Sequence, residues 1–328
     1  MKLAFSSLAA AVMAVTLSAL GTSALAAPAV IFDMGGKFDK SFNEAAYRGV
    51  ERWKQETSKT YLEFEISNDT QRVQAIRRMA ERGASPIISV GFAQASALAQ
   101  VAKEFPKTQF AIIDAEVKAP NVLSVLFKEH EGSFLVGAMA TLSSKTAKVG
   151  FIGGMDIPLI RKFQCGYEQG AKAANAKTEV VSNMTGTTAS AWNDPTRGGE
   201  LAKAQFAKGV DVVFAAAGGT GSGVYQAAKD AGKLAIGVDS NQNHMQPGTM
   251  LSSMVKRVDV AVYNVLKEFR PGVAVLGLKE GGVDYAMDQH NAKLVSATLK
   301  NKVDAYKADI IAGKIRVADY MADNACKY

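Results

Sequence analysis

Short apolar runs alternate with amphipathic segments along most of this chain. The predicted strands cover residues 29–33, 61–66, 86–90, 109–114, 122–127, 148–153, 179–183, 210–215, 234–238 and 250–254. Helical periodicity lies between them, over residues 41–56, 72–82, 93–105, 132–142, 158–175, 195–208 and 222–231. Because strands that alternate with helices pair in parallel, the pattern predicts an α/β fold with two doubly wound parallel-sheet lobes built on one plan.

The first 26 residues have a different pattern. Lys2 precedes a run of small and apolar residues from 3 to 20, and Ala24-Leu25-Ala26 is typical of a signal-peptidase site. We therefore predict a signal peptide over residues 1–26, with a membrane anchor as the alternative. No cysteine stands at the cleavage point, so we expect a periplasmic protein that is not lipid-anchored.

Composition narrows the class of protein further. Of 328 residues, 48% are hydrophobic, and the formal net charge of +7 comes from scattered basic residues. Nucleic-acid binding needs a clustered basic stripe with interleaved aromatic residues, so we expect no nucleic-acid partner. The chain without its signal peptide has about 300 residues, which is long for one core and fits two lobes.

The chain contains two cysteines, Cys165 and Cys326. In an oxidising compartment they could form a disulfide that ties the C-terminal tail to an upstream helix; two buried thiols are the alternative. On the chain-entropy model, a bond closing so long a loop would stabilise the fold by up to ~4–5 kcal/mol.

Two aspartates and a lysine stand where predicted strands end. Ligands of an open α/β sheet bind at the carboxyl ends of its strands. Asp114 and Asp239 end strands, and a carboxylate there can accept hydrogen bonds from a sugar diol; a turn cap is the alternative. Lys256 follows the strand at 250–254 and could reach a sugar oxygen, or could be a solvated residue at a helix start.

Ser41 and Glu44 have the spacing of a capping box at the start of the first helix. This spacing places Phe42 and Asn43 in the first helical turn, beside unpaired amides and the positive end of the helix dipole. An aromatic ring and an amide could face a ligand from there. Packing of Phe42 against neighbouring elements is the alternative.

A glycine-rich segment at 218–223 opens a later helix. It lacks the Lys-Ser/Thr of a phosphate-binding P-loop and the G-x-G-x-x-G spacing of a dinucleotide fingerprint. We interpret it as a loop where the backbone approaches a ligand closely, with a plain tight turn as the alternative.

No set of residues in the sequence indicates catalysis. His130, His244 and His290 lie in unrelated settings without metal-ligand spacing. There is also no G-x-S-x-G elbow and no recognisable Cys-His pair. We therefore predict a binding protein without metal or cofactor. Its aromatic, carboxylate, amide and ammonium groups suit a flat base joined to a sugar.

With these residues in hand, the chain resembles the basic membrane protein family, the purine nucleoside receptor A-like solute-binding proteins of ABC importers. The resemblance runs from residue 30 to about 317. Its most specific motifs are Asp39-Lys-Ser-Phe-Asn43, Ala216-Ala-Gly-Gly-Thr-Gly-Ser-Gly-Val224, Ile236-Gly-Val-Asp-Ser240, Ser253-Met-Val-Lys-Arg-Val-Asp259 and Gly277-Leu-Lys-Glu-Gly-Gly-Val283.

The resemblance implies a type I periplasmic binding protein, with two lobes joined by hinge strands. We expect the N-terminal lobe to comprise residues 27–143 and about 255–272, and the C-terminal lobe 144–254 and about 273–328. Many relatives carry a lipobox cysteine, which this chain lacks. Relatives also often have a different residue after the aspartate of the first loop, where this chain has Asp33-Met34.

The resemblance also implies a site in the cleft between the lobes. Phe42 and Phe214 match the positions whose rings sandwich a purine, and Asp33 and Asn43 match contacts on the first lobe's side. The other matching positions are Gly218 and Gly219 (backbone approach), Asp239 and Lys256 (ribose), Gly91 and Asp114 (cleft lining) and Trp192 (an aromatic wall or a packing residue).

The implied function is purine nucleoside binding with hinge closure, in a monomer that serves an ABC importer. Its partners would be the nucleoside and a permease in the inner membrane. The alternatives are the same fold binding a free base, a flavin-like ring or a sugar, and a secreted nucleoside-cleaving enzyme.

Overall fold

The computed structural model describes residues 27–326, so the predicted signal peptide at 1–26 lies outside the described residues. The strands are β1 (Ala29–Phe32), β2 (Leu62–Glu65), β3 (Ile87–Val90), β4 (Phe110–Ile113), β5 (Val122–Phe127), β6 (Lys148–Met155), β7 (Glu179–Gly186), β8 (Val212–Ala216), β9 (Leu234–Asp239), β10 (Met250–Lys256), β11 (Gly272–Leu276) and β12 (Val283–Tyr285). The helices are α1 (Phe42–Thr57), α2 (Arg72–Glu81), α3 (Ala95–Glu104), α4 (Glu129–Ser143), α5 (Pro158–Ala174), α6 (Pro195–Ala207), α7 (Gly221–Asp230), α8 (Val258–Lys267), α9 (Ala297–Ile311) and α10 (Tyr320–Asp323). Within 27–326, no helix has the length and apolar character to cross a membrane.

The strands form two six-stranded sheets, ordered β11-β5-β4-β3-β1-β2 and β12-β10-β9-β8-β6-β7. Every pair is parallel except β10 and β12. In β1, Val30 and Phe32 pack into one core cluster, and Ala29 and Ile31 into another. Successive strand residues point to opposite faces, so both faces of the first sheet are covered. The predicted fold of two parallel α/β lobes is confirmed.

The chain crosses between the lobes after β5, after β10 and between β11 and β12. After β5 the chain forms α4, which packs against α5, and after β10 it forms α8, which packs against α1. Gly137 of α4 and Gly170 of α5 bring the first pair into backbone contact: an added Cβ would lie 2.1 and 1.9 Å from carbonyl oxygens of the facing helix. The expected division assigned residues up to 143 to the first lobe and residues from about 273 to the second, whereas α4 packs with the second lobe and β11 pairs with β5 in the first.

The C-terminal region completes the second lobe. α9 packs against α4, and α10 packs against α5. Cys326 forms a disulfide with Cys165 of α5, with Cα atoms 5.3 Å apart. The bond fastens the tail to the helix that borders the cleft.

Candidate functional site

A cavity lies between the lobes, where the carboxyl ends of the two sheets face each other. Aromatic, aliphatic and charged side chains of both lobes line it together, as is usual in small-molecule sites. Residues predicted from the sequence supply much of its wall: Asp33, Phe42, Asn43, Gly91, Asp114, Trp192, Gly218, Asp239 and Lys256. Their roles as ligand contacts stay predictions, but the fold gathers them around one space.

Phe214 does not line this cavity, which corrects its assignment as an aromatic wall. Its side chain is fully buried in β8, with its ring centroid 5.6 Å from that of Phe151 and 5.4 Å from that of Tyr167. Ala216, two residues further along β8, does reach the cavity. Two strand residues span ~7 Å, so the ring lies one step too deep in the sheet.

Gly219 also falls outside the cavity wall, and only its neighbour Gly218 lines it. A Cβ added to Gly219 would lie 3.4 Å from the carbonyl oxygen of Trp192 and 3.5 Å from Asn193 Oδ1. The glycine-rich segment therefore packs closely against the Trp192 loop. That packing accounts for Gly219 without a ligand.

Phe163 of α5 provides an aromatic ring that the sequence reasoning missed. The ammonium of Lys256 lies 5.6 Å from its ring centroid and 5.2 Å from that of Phe42. The two rings come from opposite lobes, because Phe42 begins α1 and Phe163 follows β6 in the second lobe. Trp192 adds a third ring, packed so closely over Gly154 that a Cβ there would lie 2.0 Å from the indole. The apolar positions 159, 160 and 163 in the first turns of α5 were the available signal.

Asp39, and not Ser41, caps α1. Its carboxylate accepts hydrogen bonds from the amides of Ser41, at 2.8 Å, and Glu44, at 3.1 Å. Glu44 does reach back, but to the amide of Lys40, at 3.1 Å. The prediction that the Ser41 side chain caps the helix was therefore wrong. The Ser41 hydroxyl instead donates across the cleft to Asp239 Oδ2, at 2.6 Å.

Asn43 and Arg72 hold the loop that begins at Asp33. Asn43 Oδ1 accepts the amide of Asp33 at 3.1 Å, so this side chain orients the loop. Asp33 Oδ1 accepts hydrogen bonds from the Met34 amide, at 2.9 Å, and from Arg72 NH2, at 3.0 Å. Arg72 is buried and was not predicted. Gly91 lies against the other oxygen, and a Cβ there would be 2.6 Å from Asp33 Oδ2.

Asp114 and Asp239 hold corresponding places in the two lobes. They follow or end β4 and β9, the third strand of each sheet as ordered above. Both have left-handed backbones, with φ of 74° and 61°. Such conformations are uncommon outside glycine and concentrate at functional sites, where the surrounding structure enforces them.

Lys256 lies between these carboxylates. Its Nζ is 2.6 Å from Asp114 Oδ2 and 2.9 Å from Glu129 Oε1, and its side chain is 2% exposed. Burial would lower the pKa of Lys256, but Asp114, Glu129 and Asp239 raise it above its usual value. Glu129 was missed by the sequence reasoning. The available signal was a pair of acids, Glu129 and Glu131, between the strand predicted at 122–127 and the apolar helix predicted at 132–142.

Burial raises the pKa of both strand-end aspartates. The pKa of Asp114 rises to about 6, with Lys256 opposing the rise and Glu129 adding to it. The pKa of Asp239 also rises to about 6, opposed by Lys256 and by the hydrogen bond from Ser41. At neutral pH this end of the cleft therefore holds carboxylate acceptors around one fixed ammonium. Within the described residues, no group of three or more His, Cys, Asp or Glu side chains could hold a metal ion.

Two parallel α/β lobes around a polar and aromatic cleft are the architecture of the type I periplasmic binding fold. Residues 27–320 match the family described as ABC transporter substrate-binding protein PnrA-like, and the chain belongs to this family. The family predicted from the sequence motifs is therefore confirmed. So is the prediction of a binding protein and not an enzyme, since the family consists of substrate-binding proteins.

Similar proteins agree with this assignment. The ABC transporter nucleoside-binding protein BmpA of Lactococcus lactis is 31% identical over 317 residues, covering 88% of each chain. A solved ABC transporter solute-binding protein from Aeropyrum pernix has a TM-score of 0.81 and 30% identity, covering 89% of this chain and 92% of that one. An uncharacterised lipoprotein of Pyrococcus furiosus is 35% identical over 283 residues, covering 78% of this chain and 69% of that one.

Family membership implies an extracytoplasmic protein with a ligand and a membrane permease as partners. The identity of the ligand, the signal peptide and the periplasmic location stay predictions. So does the expected lack of a lipid anchor, since relatives include a lipoprotein.

Proposed function

We propose that this protein binds purine ribonucleosides in the interlobe cleft and delivers them to an ABC importer. The observation that carries the proposal is the pair of strand-end carboxylates. Asp114 Oδ1 is buried and has no hydrogen-bond partner among residues 27–326. A buried acceptor without a donor is costly, and a sugar hydroxyl is a donor of the right kind. Asp239, which faces it from the other lobe, supplies a second acceptor.

The aromatic rings support a base beside the sugar. Phe42, Phe163 and Trp192 all line the cavity and come from both lobes. Stacking of a base on an aromatic side chain contributes ~1–3 kcal/mol. Asp33 Oδ2 could accept a hydrogen bond from a ring or exocyclic N–H of the base, since Arg72 occupies only the other oxygen. The Lactococcus lactis relative is named as nucleoside-binding, which agrees with this ligand class.

Binding would act through closure of the hinge. Phe42 and Asp114 reach the cavity from the first lobe, and Asp239 and Phe163 from the second. A ligand that touches both sides stabilises the closed form, because only the closed form makes every contact. The closed monomer would then dock on the permease in the inner membrane, after export and cleavage of the signal peptide.

Calorimetric titration tests the proposal. The protein without residues 1–26 is unfolded and refolded to remove carried-over ligand, and is then titrated with adenosine, guanosine, inosine, uridine, ribose and adenine. We expect micromolar or tighter binding, about −8 kcal/mol or better, for purine ribonucleosides, with ribose and adenine weaker. Adenine binding as tightly as adenosine would overturn the ribose assignment, and release of free base would indicate an enzyme.

A further inference from the structure

A chain of buried charges extends from the cleft into the second lobe. Lys256 Nζ pairs with Glu129 Oε1 at 2.9 Å, and Glu129 Oε2 pairs with Lys162 Nζ at 3.0 Å. Lys162 Nζ lies 3.5 Å from Asp319 Oδ2, just before α10. The Glu129 side chain is 1% exposed and that of Lys162 is 9% exposed. Neither residue lines the cavity, so ligand contact does not account for them.

We propose that Glu129 is a positioning residue for the ribose end of the cleft: it fixes the Lys256 ammonium beside Asp114, and its charge sets the pH below which ligand is lost. The effect of Glu129 on ligand affinity rests on the proposed function. Its effect on the titration of Asp114 and Asp239 can be measured without a ligand.

The position of Glu129 in the fold makes it a fixed support. It is the first residue of α4, two residues after β5 ends and the chain leaves the first lobe. Lys162 Nζ also donates to the carbonyl oxygen of Phe127, at 2.7 Å, so it ties α5 to the crossover itself. The N-terminus of α4 favours a carboxylate at this place. Glu129 therefore lies at the crossover between the lobes, and there it holds Lys256.

The charges around Lys256 determine the direction in which Glu129 shifts the pKa of the two aspartates. Three carboxylates face its ammonium: Asp114 at the end of β4, Asp239 at the end of β9, and Glu129 on α4. Burial would raise the pKa of Glu129, but Lys256 and Lys162 outweigh it and lower the pKa, so Glu129 is ionised where the two aspartates titrate. Its fixed charge in turn raises the pKa of both aspartates.

The other groups behind Glu129 are Asp319 and His130. His130 Nδ1 lies 3.9 Å from Asp319 Oδ2. Burial and the neighbouring Lys162 lower the pKa of His130, and Asp319 opposes this shift. Neutralising Glu129 should let Asp114 and Asp239 stay ionised to lower pH.

The experiment compares the wild type with Glu129→Gln, Glu129→Asp and the control Glu131→Gln. Glu131 lies in the same helical turn, but it accepts from the amide of Leu278 and does not touch Lys256. Adenosine affinity is measured between pH 4.5 and 8. Wild-type affinity should fall as the pH drops through about 6. The midpoint of this fall should move down by roughly one pH unit in Glu129→Gln and stay in place in the control.

Glu129→Asp separates charge from position. It keeps the negative charge but withdraws it from Lys256, so its midpoint should stay near that of the wild type while affinity falls roughly fivefold to tenfold. If Glu129→Gln alone does not fold, Glu129→Gln combined with Lys162→Met removes both members of the pair. The midpoint should still move to lower pH, since Glu129 lies between Lys162 and the Lys256–Asp114 pair. Unchanged midpoints in the glutamine variants would overturn the inference.

A second readout needs no ligand. Carboxyl-carbon NMR of the unliganded protein, with the two aspartates assigned from asparagine variants, reports their titration directly. In the wild type both should titrate above the usual range of an aspartate, Asp114 near pH 6, and both should titrate at lower pH in Glu129→Gln. If the wild type bound no nucleoside, the proposed function would be wrong, and the NMR titration would still test the role of Glu129. Unmoved aspartate titrations would reject the role of Glu129 even if nucleosides bind.

Discussion

The strand-end aspartates of the two lobes have the same place in the sheet and different partners from the opposite lobe. Asp239 of the second lobe receives the hydroxyl of Ser41, at 2.6 Å, from the start of α1. Asp114 of the first lobe receives the ammonium of Lys256, at 2.6 Å, from the end of β10. Each lobe thus closes over a carboxylate of the other, once with a neutral donor and once with a cation.

The difference indicates which side of the cleft opens. Further hydrogen bonds accompany the Ser41 contact: Ser240 Oγ donates to the carbonyl oxygen of Ser41 at 2.8 Å, and Gln242 Nε2 to that of Lys40 at 2.9 Å. Arg48, whose side chain is 46% exposed, also donates to Ser240 Oγ, at 2.7 Å. Exchanging such bonds for water costs little. Lys256, by contrast, is the last residue before a crossover, and separating its buried ion pair would expose two charges. We therefore expect the Ser41 side to be the rim that opens and the Lys256 side to belong to the hinge.

Replacing Lys256 by methionine should have the largest effect. It leaves Asp114, Glu129 and Asp239 buried without the ammonium they share, and breaking a buried ion pair in this way destabilises by roughly 3–5 kcal/mol. The free energy of unfolding, from urea titration at pH 7, measures the loss. The loss should shrink as the pH is lowered, because the pKa of Asp114 is already raised to about 6 with Lys256 present and protonation removes the unpaired charge.

Arg257→Met is the matched control for Lys256→Met. Arg257 is the next residue, and its side chain is 40% exposed in a pair with Asp259. Exposed pairs contribute about 1 kcal/mol or less. If the two variants lost the same free energy of unfolding, the buried ion pair of Lys256 would not be what holds this side of the cleft together.

Asp239→Ala should act mainly on the ligand. Its partner Ser41 is neutral, so the substitution strands no buried charge of the opposite sign at the rim. Loss of a carboxylate that accepts from a sugar hydroxyl costs ~1–3 kcal/mol, which corresponds to roughly a fivefold to 150-fold weaker ribonucleoside affinity. Adenine affinity should change little. Calorimetry with adenosine and adenine measures both.

Asp156→Ala controls for removal of an acid near the edge of the second sheet. Asp156 follows β6 and pairs with Arg161 at 2.8 Å, outside the main cavity. It should leave both affinities unchanged. If Asp239→Ala weakened adenine as much as adenosine, this aspartate would not be a ribose contact.

The sequence predicted the first ten strands because each is a short apolar run bounded by turns. It predicted no strand or helix after Met254. β11 is an edge strand whose Val273 and Val275 are 53% and 45% exposed, and β12 has three residues. An exposed edge and a short strand carry no periodic signal strong enough to detect. The sheet order, which makes β11 part of the first lobe, depends on pairing across more than 140 residues with β5.

The candidate site divides in the same way. Asp114, Asp239 and Lys256 could be placed because the end of a parallel strand is a local feature. Phe214 was misplaced because the pattern does not tell how far along a strand the cleft begins. Glu129 was missed because its partner Lys256 is distant in sequence, so only the crossover after β5 brings the two together.

Ser41→Ala should have the smallest effect and tests the rim that we expect to open. It removes one neutral bond from the closed form, which contributes roughly 0.5–1.5 kcal/mol, and so should weaken adenosine by about twofold to tenfold at pH 7. The Ser41 hydrogen bond also lowers the pKa of Asp239, so the acid limb of binding should move to higher pH, opposite to the Glu129→Gln shift. Ser222→Ala, which removes a first-turn hydroxyl bonded within its own lobe to Gly219, should change neither quantity. If Ser41→Ala lowered the free energy of unfolding by as much as Lys256→Met does, the two sides of the cleft would be held equally strongly, and the distinction between rim and hinge would be wrong.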